Sequence, residues 1–449
     1  HGDFACSLPL RLARAARLDP MEIAERLVSL IPTNDVLERV WTAPPGFLNF
    51  ELKQDWLHGQ ITAVNEAGDA YGNTETGVGK SVQVEFVSVN PTGPIHVGHA
   101  RGAVFGDALA SLLDYAGYDV TREYYINDGG AQVDVLARSV YLRYLEAHGQ
   151  EVVFEGGTYP GDYLIAVGEA LKDKVGDAFV DKGEQYWLAE VRDFATEAMM
   201  DLIRADLAKL GIAHDVFASE AELQAAGKPA EAEKWLREQG LVYDGELEKP
   251  KGKTPDDWEP VELPLFRSTR FGDDQDRPIK KSDGSWTYFG ADLAYHMQKA
   301  ENADALIDIW GADHAGTVKR IKAAVAALGE GKGTPVPFDV KLVQMVQLMR
   351  DGEPVKMSKR SGNFVTLAGV GDEVGKDVVR FTMLTRKPEA QMDFDFAKVV
   401  EASKDNPVFY VQYAHARICS TMRKAAEEGL APSDEALDAL TADDVALVK

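Results

Sequence analysis

A stretch in the first third of the chain alternates between strand and helix periodicity, and this alternation restricts the fold more than any other feature. Residues 82–89 form a β-branched, mostly apolar run, which the sequence Asn-Pro-Thr-Gly-Pro at residues 90–94 must interrupt. A helical pattern follows up to Gly117, and then come a strand pattern at residues 119–126 and a helical pattern at residues 128–147. Strand, helix, strand and helix in this order predict a parallel sheet with crossover helices.

The segments at the two ends predict smaller domains. Residues 1–75 combine helically spaced apolar residues with a strand-like alternation at residues 46–52, which is typical of a small α/β domain. Residues 401–449 open with a helical pattern, but they are too few for a self-sufficient domain. We therefore expect only the beginning of an α-helical C-terminal domain there.

The central domain is predicted to span residues 76–400 and to belong to the α/β class. A largely helical insertion at about residues 151–264 interrupts its strand pattern, which returns at residues 305–310 and at residues 340–349. We expect these later strands to join the same parallel sheet as the first two.

The net charge restricts the possible partners. Lysine and arginine number 48 against 73 aspartate and glutamate residues, which gives a formal charge of −25. Such an excess opposes the approach of the whole protein to nucleic acid or to an anionic membrane. A local basic surface can still act, because salt screens charges over about 8 Å.

Cysteine usage and hydropathy indicate the compartment. Cys6 and Cys419 are far apart and form no Cys-x-x-Cys pair, which excludes a disulfide scaffold and a four-cysteine zinc site and favours the reducing cytoplasm. No apolar run reaches the ~18 residues that a membrane-spanning helix needs, and we expect no membrane partner. The opening His1-Gly2-Asp3 is neither Met-initiated nor a secretion signal, so we interpret the sequence as beginning partway through a protein.

The first motif with chemical meaning is His96-Val97-Gly98-His99, which lies where a strand has ended and a helix begins. Helix N-termini present free N–H groups and the positive end of the helix dipole, which favour phosphate. The two histidines can donate to phosphoryl oxygens, and the glycine lets a flat base or ribose approach the backbone. The alternative is a pair of histidines that cap the helix or fill the core.

The second motif is the basic segment Lys356-Met357-Ser358-Lys359-Arg360, which follows an apolar strand and a turn. Three cations in five residues can stabilise a triphosphate during nucleotidyl transfer. A lone basic pentapeptide is more often a solvated loop. Its expected position after a late strand of the same sheet that leads to the histidine motif makes the triphosphate interpretation the better one.

Together the two motifs resemble the HIGH and KMSKS signatures of class I aminoacyl-tRNA synthetases. The wider sequence is similar to the arginyl-tRNA synthetases in residues 84–94, in Tyr125-Ile126-Asn127-Asp128-Gly129-Gly130, in Trp310-Gly311-Ala312-Asp313-His314 and in residues 406–417. This resemblance extends from Gly2 to about Arg423. It implies a Rossmann-like catalytic domain, an N-terminal tRNA-contacting domain that is incomplete at its start, and a truncated anticodon-binding domain.

The resemblance also assigns roles to residues. It assigns catalysis to His96, His99, Lys356 and Lys359, ATP binding to these four with Gly98, His314, Met357 and Ser358, and arginine binding to Glu85, Asn90, Tyr288 and Asp292. The spacing of Tyr288 and Asp292 would place them on one helical face. A buried carboxylate that binds a guanidinium would reject uncharged amino acids.

Two of these residues also have structural interpretations. Asp292 could serve only the dipole at the N-terminus of its helix, and His314 could be a core histidine. Glu85 lies in an apolar strand, where a carboxylate is costly to bury, so a charged ligand there makes physical sense.

The resemblance implies ATP-dependent ligation of L-arginine to tRNA(Arg) through an arginyl-adenylate, with release of pyrophosphate and AMP. ATP would enter with Mg²⁺ as the substrate complex, and no acidic cluster in the sequence demands a fixed metal site. We expect a cytoplasmic monomer.

Two other functions fit parts of the pattern. A lysine-specific class I enzyme would share both signatures and an acidic pocket, whereas a zinc-dependent cysteine enzyme is disfavoured because no cysteine lies between Cys6 and Cys419. A non-catalytic tRNA-binding paralogue would have no use for a triphosphate site, and the two intact motifs argue against it.

Overall fold

A computed structural model describes residues 2–246, 261–355, 365–431, 433–441, 444 and 446. The chain divides into two units, one formed by His1–Asn73 with His415–Lys449 and the other by Thr74–Ala414. The histidine motif lies in the second unit. Within the described residues, no helix is both long enough and apolar enough to cross a membrane.

The N-terminal part of the first unit contains a three-stranded antiparallel sheet and three helices. Its elements are β1 (Phe4–Cys6), α1 (Leu8–Ala16), α2 (Pro20–Leu30), β2 (Leu37–Ala43), β3 (Phe47–Leu52) and α3 (Gln54–Ala67). The strand order is β1-β3-β2, and β3 is the strand predicted at residues 46–52. Asp19 caps α2 by accepting a hydrogen bond from the Met21 amide at 2.8 Å. The mixed α/β character predicted for this region is confirmed.

The second unit begins with the predicted alternation of strands and helices. Its first half comprises β4 (Ser81–Glu85), α4 (Ala100–Tyr115), β5 (Asp119–Ile126), α5 (Ala131–Ala147), α6 (Ile165–Val175), α7 (Leu188–Lys209), β6 (Val216–Ser219), α8 (Glu220–Ala225), α9 (Lys228–Glu238), β7 (Val242–Glu246), β8 (Glu262–Phe266) and β9 (Arg277–Pro278). Its second half comprises α10 (Tyr288–Asn302), β10 (Ala305–Gly311), α11 (Val318–Lys332), β11 (Phe338–Val343), β12 (Val346–Arg350), β13 (Glu353–Pro354), α12 (Leu367–Val374), α13 (Lys376–Leu384), β14 (Met392–Asp395) and α14 (Phe396–Val399). Helix α15 (Pro407–Glu427) begins in this unit and continues past Ala414 into the residues of the first unit.

Five strands of this unit form one parallel sheet in the order β11-β10-β4-β5-β6. The chain starts in the middle with β4, adds β5 and β6 on one side, and then adds β10 and β11 on the other. Val82 and Val84 on one face of β4 and Gln83 on the other are all buried, as expected for a central strand covered on both faces. In open sheets of this kind, ligands bind beyond the carboxyl ends of the strands where the strand order reverses, which here lies between β4 and β10.

The single strand predicted at residues 340–349 was wrong, because the structure has two strands there in two different sheets. β11 belongs to the parallel sheet, whereas β12 pairs with β14 and β13 in a separate three-stranded sheet. At Gln344 the backbone amide donates to the Pro388 carbonyl at 2.8 Å, so the chain leaves the first sheet at this point. Buried apolar residues continue across the break, at Val343, Val346 and Leu348, and they conceal it in the sequence.

Helix α4 packs closely on the residue that follows β4. A Cβ atom on Gly106 would lie 2.3 Å from the ring of Phe86, which is fully buried. The absence of a side chain at position 106 therefore sets the distance between the helix and the sheet.

Replacement of Gly106 by alanine should destabilise the fold by about 1–3 kcal/mol, because the Phe86 ring has no room to move. Urea unfolding monitored by circular dichroism would measure this loss. Gly102→Ala is the matched control, since a Cβ on Gly102 meets nothing within 4 Å. That variant should be neutral or slightly stabilising, as alanine favours helix. Equal effects of the two substitutions would contradict the proposed close packing.

Candidate active site

Three carboxylates lie side by side at the carboxyl end of the parallel sheet. In the strand register Asp308 of β10 is the partner of Glu85 of β4, and Glu85 is the partner of Glu123 of β5. All three are buried. Neighbouring charges of one sign repel strongly in such surroundings, so the fold must compensate for them.

Lys299 of α10 supplies the compensating charge. Its ammonium group donates to Glu85 at 2.7 Å and to Asp308 at 2.5 Å, and the residue is only 1% exposed. Burial alone would lower the pKa of Lys299, but Asp308 and Glu85 outweigh burial and raise this pKa above its ordinary value. Glu123 instead accepts a hydrogen bond from the Tyr295 hydroxyl, and burial raises the pKa of Glu123.

Asp292 and Tyr288 lie on the same helix, which begins at Tyr288. The Thr287 hydroxyl caps it by accepting from the Gly290 amide at 3.1 Å. Tyr288 is exposed and Asp292 is half-buried. His296 connects this face to the carboxylate row, because its Nδ1 contacts the Asp292 carbonyl at 2.7 Å while its Nε2 contacts Asp308 at 2.9 Å.

The environment of Asp292 is acidic. The pKa of Asp292 is raised to about 6, chiefly by burial and in part by the negative charges of Glu85 and Glu220, whereas His296 and Arg320 oppose the shift. Within the described residues the Asp292 carboxylate forms no ion pair. Arg320 acts on Asp292 without forming an ion pair with it, and a guanidinium or ammonium group could provide a cation in direct contact.

A strained turn follows Glu85 and ends the strand predicted at residues 82–89 four residues early. Val87 and Ser88 have φ values of 72° and 42°, which are unfavourable for side chains other than glycine. The Ser88 hydroxyl stabilises the turn, because it donates to Glu85 at 2.9 Å and accepts from the Tyr125 amide at 3.0 Å. Strain of this kind persists where the surroundings enforce it, often at functional sites.

The turn leads to Asn90, which is exposed. Asn90 and His99 both line a cavity of about 770 Å³, together with Tyr159 and Tyr163. The structure thus brings an arginine-binding candidate and a catalytic candidate to one cavity.

The histidine motif forms a short 3₁₀ turn, Val97–His99, that leads into α4. His96 caps this turn, since its Nδ1 accepts from the Gly98 amide at 3.1 Å, and the two histidine rings stack with centroids 3.9 Å apart. A Cβ on Gly98 would lie 2.8 Å from the His96 ring and 3.6 Å from the Met345 side chain. The absence of a side chain at Gly98 therefore leaves the room that the His96 ring occupies.

The histidine motif is hydrogen-bonded to the chain that follows the basic motif. The Val97 amide donates to the Val365 carbonyl at 3.1 Å, and the Leu367 amide donates to the Ile95 carbonyl at 2.7 Å. Lys356, Met357, Ser358 and Lys359 lie outside the described residues. Their roles remain predictions, although the described chain resumes beside the histidine motif.

His314 lies on a 3₁₀ turn, Ala312–Thr317, directly after β10. It is exposed, and its Nε2 is 3.6 Å from Asp313. The alternative interpretation as a core histidine was therefore wrong.

Sequence reasoning missed Lys299, His296, Asp308 and Ser88. Two signals were available: Asp308 is a single acid in an apolar strand, and Lys299 continues the helical face that contains Tyr288 and Asp292. Neither signal identifies its partner, because the pairing depends on which strands are neighbours.

Comparison with known proteins identifies the family. The profile of the tRNA synthetases class I (R) catalytic domain matches residues 60–419, and that of the arginyl tRNA synthetase N-terminal domain matches residues 1–52. The chain belongs to the arginyl-tRNA synthetase family of class I. The resemblance noted in the sequence is thereby confirmed.

Relatives and a solved structure agree with this family. An arginine–tRNA ligase of Novosphingobium aromaticivorans is 64% identical over 100% of this chain and 77% of the relative. One of Jannaschia sp. is 63% identical over 98% of this chain and 76% of the relative. The structure of Thermus thermophilus arginyl-tRNA synthetase has a TM-score of 0.73 at 21% identity, over 100% of this chain and 80% of that chain, and it shares the fold.

Lys299→Met should destabilise the protein by about 3–5 kcal/mol, because it leaves Glu85 and Asp308 buried without a cation. Denaturant unfolding at pH 7 would measure the loss. Lys319→Met is the control, since the ion pair between Lys319 and Asp274 is exposed, and it should have a much smaller effect. Similar stability of the two variants would refute the role of Lys299 as the compensating charge.

Proposed function

We propose that this chain attaches L-arginine to tRNA(Arg) with ATP, through an arginyl-adenylate. The observation that carries the proposal is the group of acids Glu85, Asp292 and Asp308 near the reversal of strand order, called the acidic pocket below. Glu85 is followed along the chain by Asn90 and His99, which line one cavity. The family and the names of close relatives agree with it. A neutral or basic pocket at this position would not suit a cationic amino acid.

Arginine would bind with its charged groups against the carboxylates of the pocket. Asp292 and Tyr288 would bind the guanidinium, while Glu85 and Asn90 would bind the α-ammonium and backbone groups. Lys299 and Ser88 hold the Glu85 carboxylate in one orientation, so this group is preorganised before the substrate arrives. An uncharged amino acid would leave buried acids without a counter-charge and would be rejected.

In the first step, the arginine carboxylate would attack the α-phosphorus of ATP. A bond forms between a carboxylate oxygen and this phosphorus, the bond to the bridging oxygen breaks, and pyrophosphate leaves. His96, His99, Lys356 and Lys359 would stabilise the charge on the phosphates, with Gly98, His314, Met357 and Ser358 at the nucleotide.

In the second step, the terminal ribose of the tRNA would attack the carbonyl carbon of the adenylate through its 2′-hydroxyl, and AMP would leave. No side chain need form a covalent intermediate in either step.

Mg²⁺ would enter with ATP as part of the substrate complex. Among the described residues, Glu85, His296 and Asp308 have the spacing of a metal site, but the ammonium of Lys299 already lies within 2.7 Å of Glu85 and 2.5 Å of Asp308. This cluster therefore does not fit a resident metal ion. We further propose that the protein acts as a monomer in the cytoplasm.

The test of the proposed function is ATP–pyrophosphate exchange with each amino acid, with and without tRNA(Arg). We expect exchange with arginine and with no other amino acid. Exchange with lysine but not arginine would overturn the proposal, because an acidic pocket also suits an ammonium group.

Asp292→Asn should raise the KM for arginine about 10- to 100-fold, because it removes a charge-assisted hydrogen bond. The KM for ATP should change much less.

Burial raises the pKa of Asp292 to about 6, so its carboxyl is ionised above this pH and protonated below it. The kcat/KM for arginine should therefore fall as the pH decreases through about 6.

The pH dependence of kcat/KM for arginine in the Asp292→Asn variant provides the decisive measurement. In this variant, the fall in kcat/KM near pH 6 should be absent. Glu301→Gln is the control, because Glu301 is an exposed acid on the same helix. An equal rise in both KM values, or an unchanged pH profile, would contradict the assignment of Asp292 to arginine.

A further inference from the structure

Arg101 is one of the most completely buried large side chains among the described residues. It lies in the first turn of α4, two residues after His99, and is 1% exposed. A charged side chain in this position is costly to bury, so its contacts need an explanation.

The guanidinium of Arg101 contacts main-chain carbonyls. Its Nη1 donates to Ala390 at 2.5 Å and to Gln344 at 3.3 Å, and its Nη2 donates to Lys387 at 2.6 Å and to Arg386 at 3.4 Å. Within the described residues no carboxylate forms an ion pair with it, and burial lowers the pKa of Arg101. An apolar side chain would fill this space at a lower desolvation cost. We therefore expect the four hydrogen bonds to have a structural role beyond filling the space.

The four carbonyls belong to the starts of two paired strands. Gln344 comes just before β12, and the carbonyls of residues 386–390 come just before β14, which runs parallel to β12. The Gln344 amide also donates to the Pro388 carbonyl at 2.8 Å. The planar guanidinium therefore joins the start of α4 to both strands at one point.

This connection matters because the two phosphate-binding motifs belong to different sheets. The histidine motif follows β4 of the parallel sheet, whereas β12 belongs to the three-stranded sheet and leads through β13 to Val355, the last described residue before Lys356. The chain that leaves the basic motif is already held to the histidine motif by the Val97–Val365 and Leu367–Ile95 backbone hydrogen bonds. Arg101 supplies a second connection, which joins α4 immediately after the histidines to the starts of β12 and β14, on the side from which the chain enters the basic motif.

We propose that Arg101 is a positioning residue that fixes β12 and β14 relative to His96 and His99, and so sets the path of the chain that enters the basic motif at Val355 for adenylate formation. The inference rests on the proposed function. Arg101 acts through the chain that it holds and does not touch the reacting atoms. Lysine cannot replace it, because three donors on one nitrogen cannot reach carbonyls on both sides of the fork.

The experiment compares Arg101→Met and Arg101→Lys with Arg380→Met in the full-length protein. Arg380 also joins α4 to another element, because it donates to Asp107 of α4 at 2.5 Å and to the Leu210 carbonyl at 3.2 Å. It lies on α13 and contacts neither motif among the described residues, so its loss reports the general effect of removing a half-buried arginine that holds α4 to another element. Circular dichroism first establishes that each variant is folded at the assay temperature.

Arginine-dependent ATP–pyrophosphate exchange in the presence of tRNA(Arg) is then measured at varied ATP and arginine. Arg101→Met should lower kcat about 100-fold, as expected for a displacement of about 1 Å between catalytic groups. The KM for arginine should stay within about threefold, because the acidic pocket does not depend on these strands. Arg101→Lys should lower kcat at least about tenfold, and Arg380→Met should leave kcat within about threefold.

Several results would overturn the inference. These are a kcat for Arg101→Met equal to that of Arg380→Met, an effect confined to the KM for arginine, or recovery of wild-type kcat by Arg101→Lys. If Arg101→Met does not fold, the kcat of Arg101→Lys decides between the same outcomes. Failure of the wild-type protein to exchange with arginine would instead refute the proposed function, so the two failures are distinguishable.

Discussion

The row of acids across three neighbouring strands is the constraint on which the other features of the site depend. Asp308, Glu85 and Glu123 occupy successive strands, which are about 4.8 Å apart in a sheet. Ionised together, they would oppose assembly of the sheet, because electrostatic repulsion is strong in a medium of low polarity. Lys299 neutralises the repulsion between two of them, and Tyr295 donates a hydrogen bond to the third. Helix α10 therefore stabilises the sheet electrostatically as well as by packing.

The same arrangement explains why the pocket suits a cationic substrate. Lys299 and Ser88 satisfy the two oxygens of Glu85, so that carboxylate is fixed. Asp292 and Glu220 receive no such cation, and burial raises the pKa of each. In the proposed function, the guanidinium of arginine would supply a cation in contact with Asp292 and would stabilise its ionised form. Binding and ionisation would thus be linked, which would connect substrate choice to the electrostatics of these buried acids.

The sequence predicts those parts of the structure that depend on local patterns. Two examples are the strand at residues 119–126 and the start of α4 after the histidine motif. Both follow from periodicity and from the positions of glycine and proline. Glu85 stands out because an acid in an apolar strand needs a charged partner. The role of Lys299 could not be predicted, because it requires that β10 lie next to β4. The separation of β11 and β12 was hidden for a similar reason, since apolar residues continue across the break.

The left-handed turn at Val87 and Ser88 couples the geometry of the site to the stability of the whole unit. A valine with φ of 72° is held there by the surrounding sheet and by the hydrogen bonds of Ser88. When heating or a distant substitution loosens the sheet, this turn gains conformational freedom before the core separates. Glu85 and Asn90, which flank the turn, then lose their orientation while most secondary structure persists. Inactivation on heating should therefore precede unfolding, and the site itself sets the temperature limit of the protein.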